Sequence, residues 1–363
     1  MLDRKTLWLT LTLSVVGLLA VADASAPQAL RVFSDPYYFT KQQLLWTALG
    51  LAALFGASLV HYSVWRKIAY PLFFAALLAL VAVLVPGVGS KVLGARRWIS
   101  IGQFGFQPSE PAKLGMAILF AKLYVDKKPF YYFVAALLAV SALVMLQPDL
   151  GTTIVITGVA FVQLFVMGWS VFDLLGLLLG GTAAGAVLVF SSSYRRQRVM
   201  SFLGSTADPL GSSYHIRQVL IALGSGGIFG VGLGQSRQKH LFLPESATDS
   251  VFAVIAEEVG FVGGGAVIIL LFYLLLRLFA IARGAPDDFS KVLGAGIASW
   301  IGVQIFLNLS SMVSLTPLTG IPLPFFSYGG TSLTTMLGSI GILLNISRHR
   351  YAQKEKKRRK TRR

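Results

Sequence analysis

The sequence predicts an all-α fold: a polytopic integral membrane protein of about ten transmembrane helices, with both termini cytoplasmic. Three observations carry this. The 363 residues are 55% hydrophobic and 13% charged, with mean hydropathy +0.70, more apolar surface than a soluble core of this length needs. Apolar stretches of about 17–25 residues, the length that crosses a bilayer as a helix, recur throughout. Basic residues fall in alternate short loops. The alternating ten-residue strands of an outer-membrane barrel are absent.

Taken in order, the predicted spans are 7–22, 43–60, 68–86, 111–125, 130–146, 151–168, 171–190, 250–281, 291–313 and 331–347. Arg4-Lys5 and an apolar run ending in Ala22-Asp23-Ala24 resemble a cleavable signal peptide, but the segment is read as an uncleaved first helix. Orientation follows from the Lys/Arg bias of short loops. Arg4-Lys5, Arg66-Lys67, Lys122 with Lys127 and Lys128, Arg283 with Lys291, and the basic tail all fall on one side if both termini are cytoplasmic. Segments 23–42, 87–110, 147–150, 191–249 and 314–330 then face outward. Residues 1–347 read as one transmembrane domain with its largest outer loop at about 191–249. The tail 348–363, with ten Lys/Arg and one Glu, reads as disordered.

That tail suits anionic membrane lipid at a positive-inside surface better than nucleic acid, because no soluble domain with interleaved aromatics accompanies it. The absence of cysteine excludes disulfides and thiolate chemistry, and the four histidines show no metal-ligand spacing.

The chain has 15 acidic residues, and four of them, Glu245, Asp249, Glu257 and Glu258, fall within fourteen positions at a membrane boundary. Carboxylates are costly there and are functional suspects. Asp249 starts the eighth span, where it serves either as an N-cap or as a base toward a hydroxyl group. Glu257 and Glu258 lie about 12 Å deeper at ~1.5 Å per residue and read mainly as structural ion-pair partners, with a place on the border of a cavity as the alternative.

Lys91, Arg96, Arg97, Arg195, Arg196, Arg198, Arg217, Arg237 and Lys239 break the charge rule by lying outside. Together they suggest an anionic ligand at the outer leaflet, since guanidinium forks match phosphate oxygens. In Phe106-Gln-Pro-Ser-Glu-Pro-Ala-Lys113, Ser109 can cap the fourth span, while Glu110 and Lys113 pair at i, i+3. Asp149 of Gln147-Pro-Asp-Leu-Gly-Thr152 can cap the sixth span and adds another outer carboxylate. The run Leu315–Gly330, with three prolines and three glycines, cannot be a continuous helix and must be buried in protein or line a wet cavity.

These motifs, with Gly94-Ala-Arg-Arg-Trp98, Gly230-Val-Gly-Leu-Gly234, Leu243–Gly260 and Pro322-Leu-Pro-Phe-Phe-Ser-Tyr-Gly-Gly330, resemble the SEDS family, the RodA- and FtsW-type proteins of bacterial cell-wall synthesis, over nearly the whole chain. The resemblance implies a ten-helix enzyme of the bacterial cytoplasmic membrane. Such proteins polymerise lipid II into β-1,4 glycan strands at the outer membrane face, beside a class B penicillin-binding protein. It puts the catalytic aspartate at Asp249 and the Glu/Lys of a second motif at Glu110 and Lys113. Arg97, Asp149, Arg198, Arg217, Lys239, Glu245 and Ser327 complete the candidate substrate-binding set.

Two positions depart from the family pattern. Ala247 stands where the motif has His, and Ser250 where it has Phe. Gly224-Ser-Gly-Gly227 and Ala253–Glu258 look RodA-like, whereas Gly232–Ser236 looks FtsW-like; the RodA type is preferred. The sequence shows no dedicated metal site, and a divalent cation, Mg or Mn, is an alternative source of positive charge for a pyrophosphate leaving group. The competing readings are a lipid II transporter, which needs access from both faces, and a non-catalytic scaffold for a transpeptidase.

Overall fold

The computed structural model describes residues 2–92, 95–102, 104–190, 196, 214–240 and 242–361. Ten helices occupy the ten predicted spans: α1 (Arg4–Phe33), α2 (Tyr38–Leu59), α4 (Ala69–Ala82), α5 (Ser109–Val125), α6 (Phe130–Leu146), α7 (Leu150–Met167), α8 (Val171–Phe190), α10 (Val251–Arg283), α11 (Asp288–Met312) and α12 (Gly330–Thr361). Among the described residues, two short helices join them, α3 (Ser63–Lys67) and α9 (Tyr214–Ser225). Large apolar side chains such as Leu59, Leu78, Phe165, Phe172 and Phe272 are exposed around the bundle, as a lipid-facing surface requires. α11 is the central helix, buried against α5, α7 and α10, with Trp300 fully enclosed. Gln163 of α7 donates to the carbonyls of Ala117 and Val292, a polar tie between apolar helices.

The two ends of the bundle carry the segments that the charge bias assigned to opposite membrane faces. At one end Asp3 meets Arg277 and Ser347, Tyr62 donates to Asp287, and Arg66 pairs with Asp126. At the other end Arg97 meets the Gln147–Asp149 turn and Tyr328 donates to Gln42.

Four departures from the sequence reading have local causes. Segment 87–110 holds a small antiparallel sheet, β1 (Gly89–Val92), β2 (Ala95–Ile101) and β3 (Phe104–Phe106), in that order. Its registers pair Ser90 with Trp98 and Ser100 with Gly105, and the Thr331 hydroxyl straps β3 to the start of α12. Ser109 does not cap α5: Pro108 is the N-cap residue and Ser109 is the first helical position. The outer loop holds α9, whose Ile216, Val219 and Ala222 form a buried stripe at helical spacing. The last helix does not stop at 347 but continues to Thr361, since Lys, Arg, Gln and Glu are good helix formers.

α10 contains one break, at Gly260 (φ 68°, ψ −169°). A Cβ there would lie 2.3 Å from the Gly230 nitrogen, so only glycine fits. The backbone groups freed by the break are taken up by the loop behind α9: Val231 and Gly232 donate to the Glu257 and Glu258 carbonyls, and Phe261 and Val262 donate to Gly227 and Ile228. The irregular backbone at this depth therefore has its polar groups paired within the protein, although Ile228, Phe229 and Phe261 around it are exposed.

Candidate active site

A cavity of about 630 Å³ opens at the outer end of the bundle. Glu110 from α5, Asp149 and Thr152 from the start of α7, Arg97 and Trp98 from β2, His215 from α9, and Gln42 and Trp46 from α2 line it. The turn 243–250 and the non-helical segment 313–329 close its floor, contributing Glu245, Thr248, Asp249, Gly320 and Tyr328.

The Asp249 turn is held by three successive carbonyls. That of Ala247 accepts from the Tyr328 amide (2.8 Å), that of Thr248 from the Ser327 hydroxyl (2.5 Å), and that of Asp249 from Asn308 Nδ2 (2.8 Å). Asn308 also donates to the Ile321 carbonyl (2.9 Å), so one buried amide on α11 joins the aspartate turn to the broken segment. Gly320 has φ +72°, and a Cβ on it would lie 3.4 Å from Asp249 Oδ2. The N-cap of α10 is Ser250, not Asp249, so the capping alternative for the aspartate is not realised. Tyr328, half-buried nearby, has its phenol pushed up to about 12 by desolvation, so it stays protonated.

The other candidates fall in different places. Glu110 lines the cavity and accepts from Lys113 Nζ at 2.8 Å, with both side chains almost wholly buried. Lys113 lies behind Glu110, over the Trp300 ring at 5.1 Å. Asp149 caps α7 through the Thr152 amide (3.0 Å) and lies 3.9 Å from Arg97 Nε, whose fork also donates to the carbonyls of Gln147 and Pro148. Glu245, at φ 53°, lines the rim and accepts from the Thr248 hydroxyl. Ser327 braces the turn from beneath and is outside the cavity lining.

The expected cationic cluster is only partly assembled. Arg97 lines the cavity, Arg217 is exposed away from it, and Arg198 lies outside the described residues. Lys239 is buried in a triad with Asp23 and Glu258, at 2.7 Å from each. Burial lowers its pKa, but hydrogen bonds to Asp23 and Glu258 outweigh that and raise it. Glu257 accepts from Ser236 and from the amides of Arg237 and Gln238, so both deep carboxylates anchor the loop.

Sequence reasoning missed Asn308, His215, Trp46 and Gln42. A lone Asn in an apolar span was the available signal for Asn308. Among the described residues no three His, Asp or Glu side chains converge as a metal would require.

A cleft of about 630 Å³ at one face of a ten-helix bundle, with an aspartate on a turn held by three backbone ties, defines a multi-pass membrane protein whose larger polar cavity opens at one end. The chain belongs to the FtsW/RodA/SpoVE family of cell cycle proteins, whose model matches residues 4–352. It is 42% identical to stage V sporulation protein E of Bacillus subtilis (strain 168), over 96% of this chain and 97% of that protein. It is 37% identical to a probable peptidoglycan glycosyltransferase FtsW of Trichlorobacter lovleyi, over 95% and 93%. Among solved structures, the rod shape determining protein RodA of Thermus thermophilus matches with TM-score 0.73 and 32% identity over 97% of this chain and 98% of that one. A chain from a structure on the coordination of polymerization and crosslinking by a peptidoglycan synthase complex matches with TM-score 0.79 and 32% identity, over 97% and 99%. The protein is thus a multi-pass bacterial membrane protein of this family.

Proposed function

We propose that the protein is a peptidoglycan glycosyltransferase that polymerises lipid II into β-1,4 glycan strands at the outer face of the cytoplasmic membrane, with Asp249 as general base. The carrying observation is the placement of Asp249 in the outer cavity on a turn fixed by Tyr328, Ser327 and Asn308. Asp249 takes the proton of the acceptor 4-hydroxyl, and that oxygen bonds to the donor's anomeric carbon. The bond from that carbon to the undecaprenyl pyrophosphate oxygen breaks, with inversion. A positioned base contributes about 10²–10⁴-fold. Among the described residues, Arg97 lines the cavity and suits the departing pyrophosphate.

Clustering of the polar motifs at one end supports catalysis over lipid II transport, which requires two-sided access. A class B penicillin-binding protein is the proposed partner, supported by the structural match to the synthase complex. The test is purified protein with lipid II, with and without that partner, and glycan length read on a gel. Asp249→Asn should abolish polymer while leaving thermal stability intact; normal product lengths from that variant sink the assignment.

A role in elongation and cell shape rests on the RodA-like Gly224–Gly227 and Ala253–Glu258 segments. The FtsW-like Gly232–Ser236 and the 42% identity to stage V sporulation protein E favour the division and sporulation branches. Complementation of two depletion strains of a rod-shaped bacterium decides: restored rods on RodA depletion support the elongation role, and restored septa on FtsW depletion assign it to division.

A further inference from the structure

We propose that His215 is a positioning residue for the Asp249 site, brought in from the outer loop and coupled to it through Ser250. This rests on the glycosyltransferase reading above. Position 247, where the family's motif carries its histidine, holds a buried Ala, so the turn itself supplies no imidazole. His215, the second residue of α9, lines the same cavity as Asp249, and its Nε2 lies 2.7 Å from Ser250 Oγ.

Ser250 is unusual in its own right. It is the N-cap of α10 and fully buried, yet its hydroxyl makes no capping bond. A serine at that position normally accepts from an amide of the first helical turn. Here the hydroxyl meets the imidazole instead. The family's Phe at this position would have no oxygen to offer.

The two departures are therefore complementary: one removes an imidazole from the turn, and the other provides the hydroxyl that binds an imidazole from elsewhere. Ser250 is one peptide from Asp249, so fixing its side chain fixes the backbone that aims the carboxylate. α9 can act as the anchor because Ile216, Val219 and Ala222 bury one of its faces against the bundle.

The test is the lipid II polymerisation assay on full-length wild type, His215→Ala, Ser250→Ala, the double variant and His215→Gln, with kcat and KM measured separately. Each single Ala change should lower kcat about 10- to 100-fold, as a misaimed catalytic group does, with KM little changed. The double variant should fall no further than either single, because both remove one interaction. His215→Gln, whose amide can still bond Ser250 Oγ, should recover most of the rate. Wild-type kcat in both single variants overturns the proposal. So do losses that multiply in the double variant, or a Gln variant as poor as the Ala one. Matching thermal midpoints across the set separate a positioning loss from misfolding. An inactive wild type would overturn the polymerase reading itself, and this inference with it.

Discussion

Glu110 and Lys113 show how much a single side chain is committed at this site. Both are buried, and their bond is charge-assisted at 2.8 Å. Removing one partner leaves an uncompensated charge in apolar surroundings, which costs about 3–5 kcal/mol, whereas replacing both by apolar residues is far milder. Glu110→Gln should therefore lower the thermal midpoint in detergent sharply, and Glu110→Leu with Lys113→Met should regain much of it without regaining polymerisation. If the double variant polymerises normally, Glu110 contributes packing and nothing to substrate handling. Arg97 differs: it is part-exposed, and its fork is shared between the Asp149 turn and the cavity. Whether a charged residue of this chain is spent on the fold or presented to a ligand is decided by such partners, which lie far away in sequence.

At the scale of elements, the loop 226–240 is tied to two helices by backbone and ion-pair contacts. Its backbone pairs across the Gly260 break, and Lys239 pins it to α1 through Asp23 and to α10 through Glu258. The pH dependence follows from the raised pKa of Lys239. A cation whose folded pKa lies above its unfolded value of 10.5 contributes stability that is complete below 10.5 and lost as pH rises through the folded value. The wild type should lose thermal midpoint at alkaline pH above that point more steeply than Lys239→Met, which should be destabilised already at pH 7. Parallel curves for the two proteins would remove the triad from the stability account. The sequence marked Lys239 as a ligand-facing cation because it lies in an outer loop. Its occupation by Asp23, 216 residues away, could not be read from loop position.

For the whole molecule, both ends are stitched by ion pairs and hydrogen bonds, and they differ in what they enclose. The end with Asp3, Tyr62, Arg66, Asp126 and Asp287 holds a pocket of about 400 Å³, while the opposite end opens into the larger cavity. Tyr62 there has its pKa raised by burial and by its hydrogen bond to Asp287. Because the chain has no cysteine, topology can be tested on a clean background. Phe104→Cys, on exposed β3, should react with a membrane-impermeant maleimide in intact cells, and Lys67→Cys only after permeabilisation. The reverse pattern would invert the assignment of the cavity to the outer face.

The spans, their order, their orientation and the broken character of Leu315–Gly330 were determined by the sequence, because apolar length, loop charge and proline content are local quantities that the bilayer reads directly. The motif residues Glu110, Asp149 and Asp249 were legible too, since each is a carboxylate at the start of a span. Only the tertiary structure decided which of them face one cavity, that Ser327 and Asn308 hold the Asp249 turn, that Lys239 is consumed by a buried triad, and that His215 meets Ser250. Those outcomes depend on hydrogen bonds and ion pairs between residues 19 to 216 positions apart, and no local pattern encodes which partners the packed bundle will bring together.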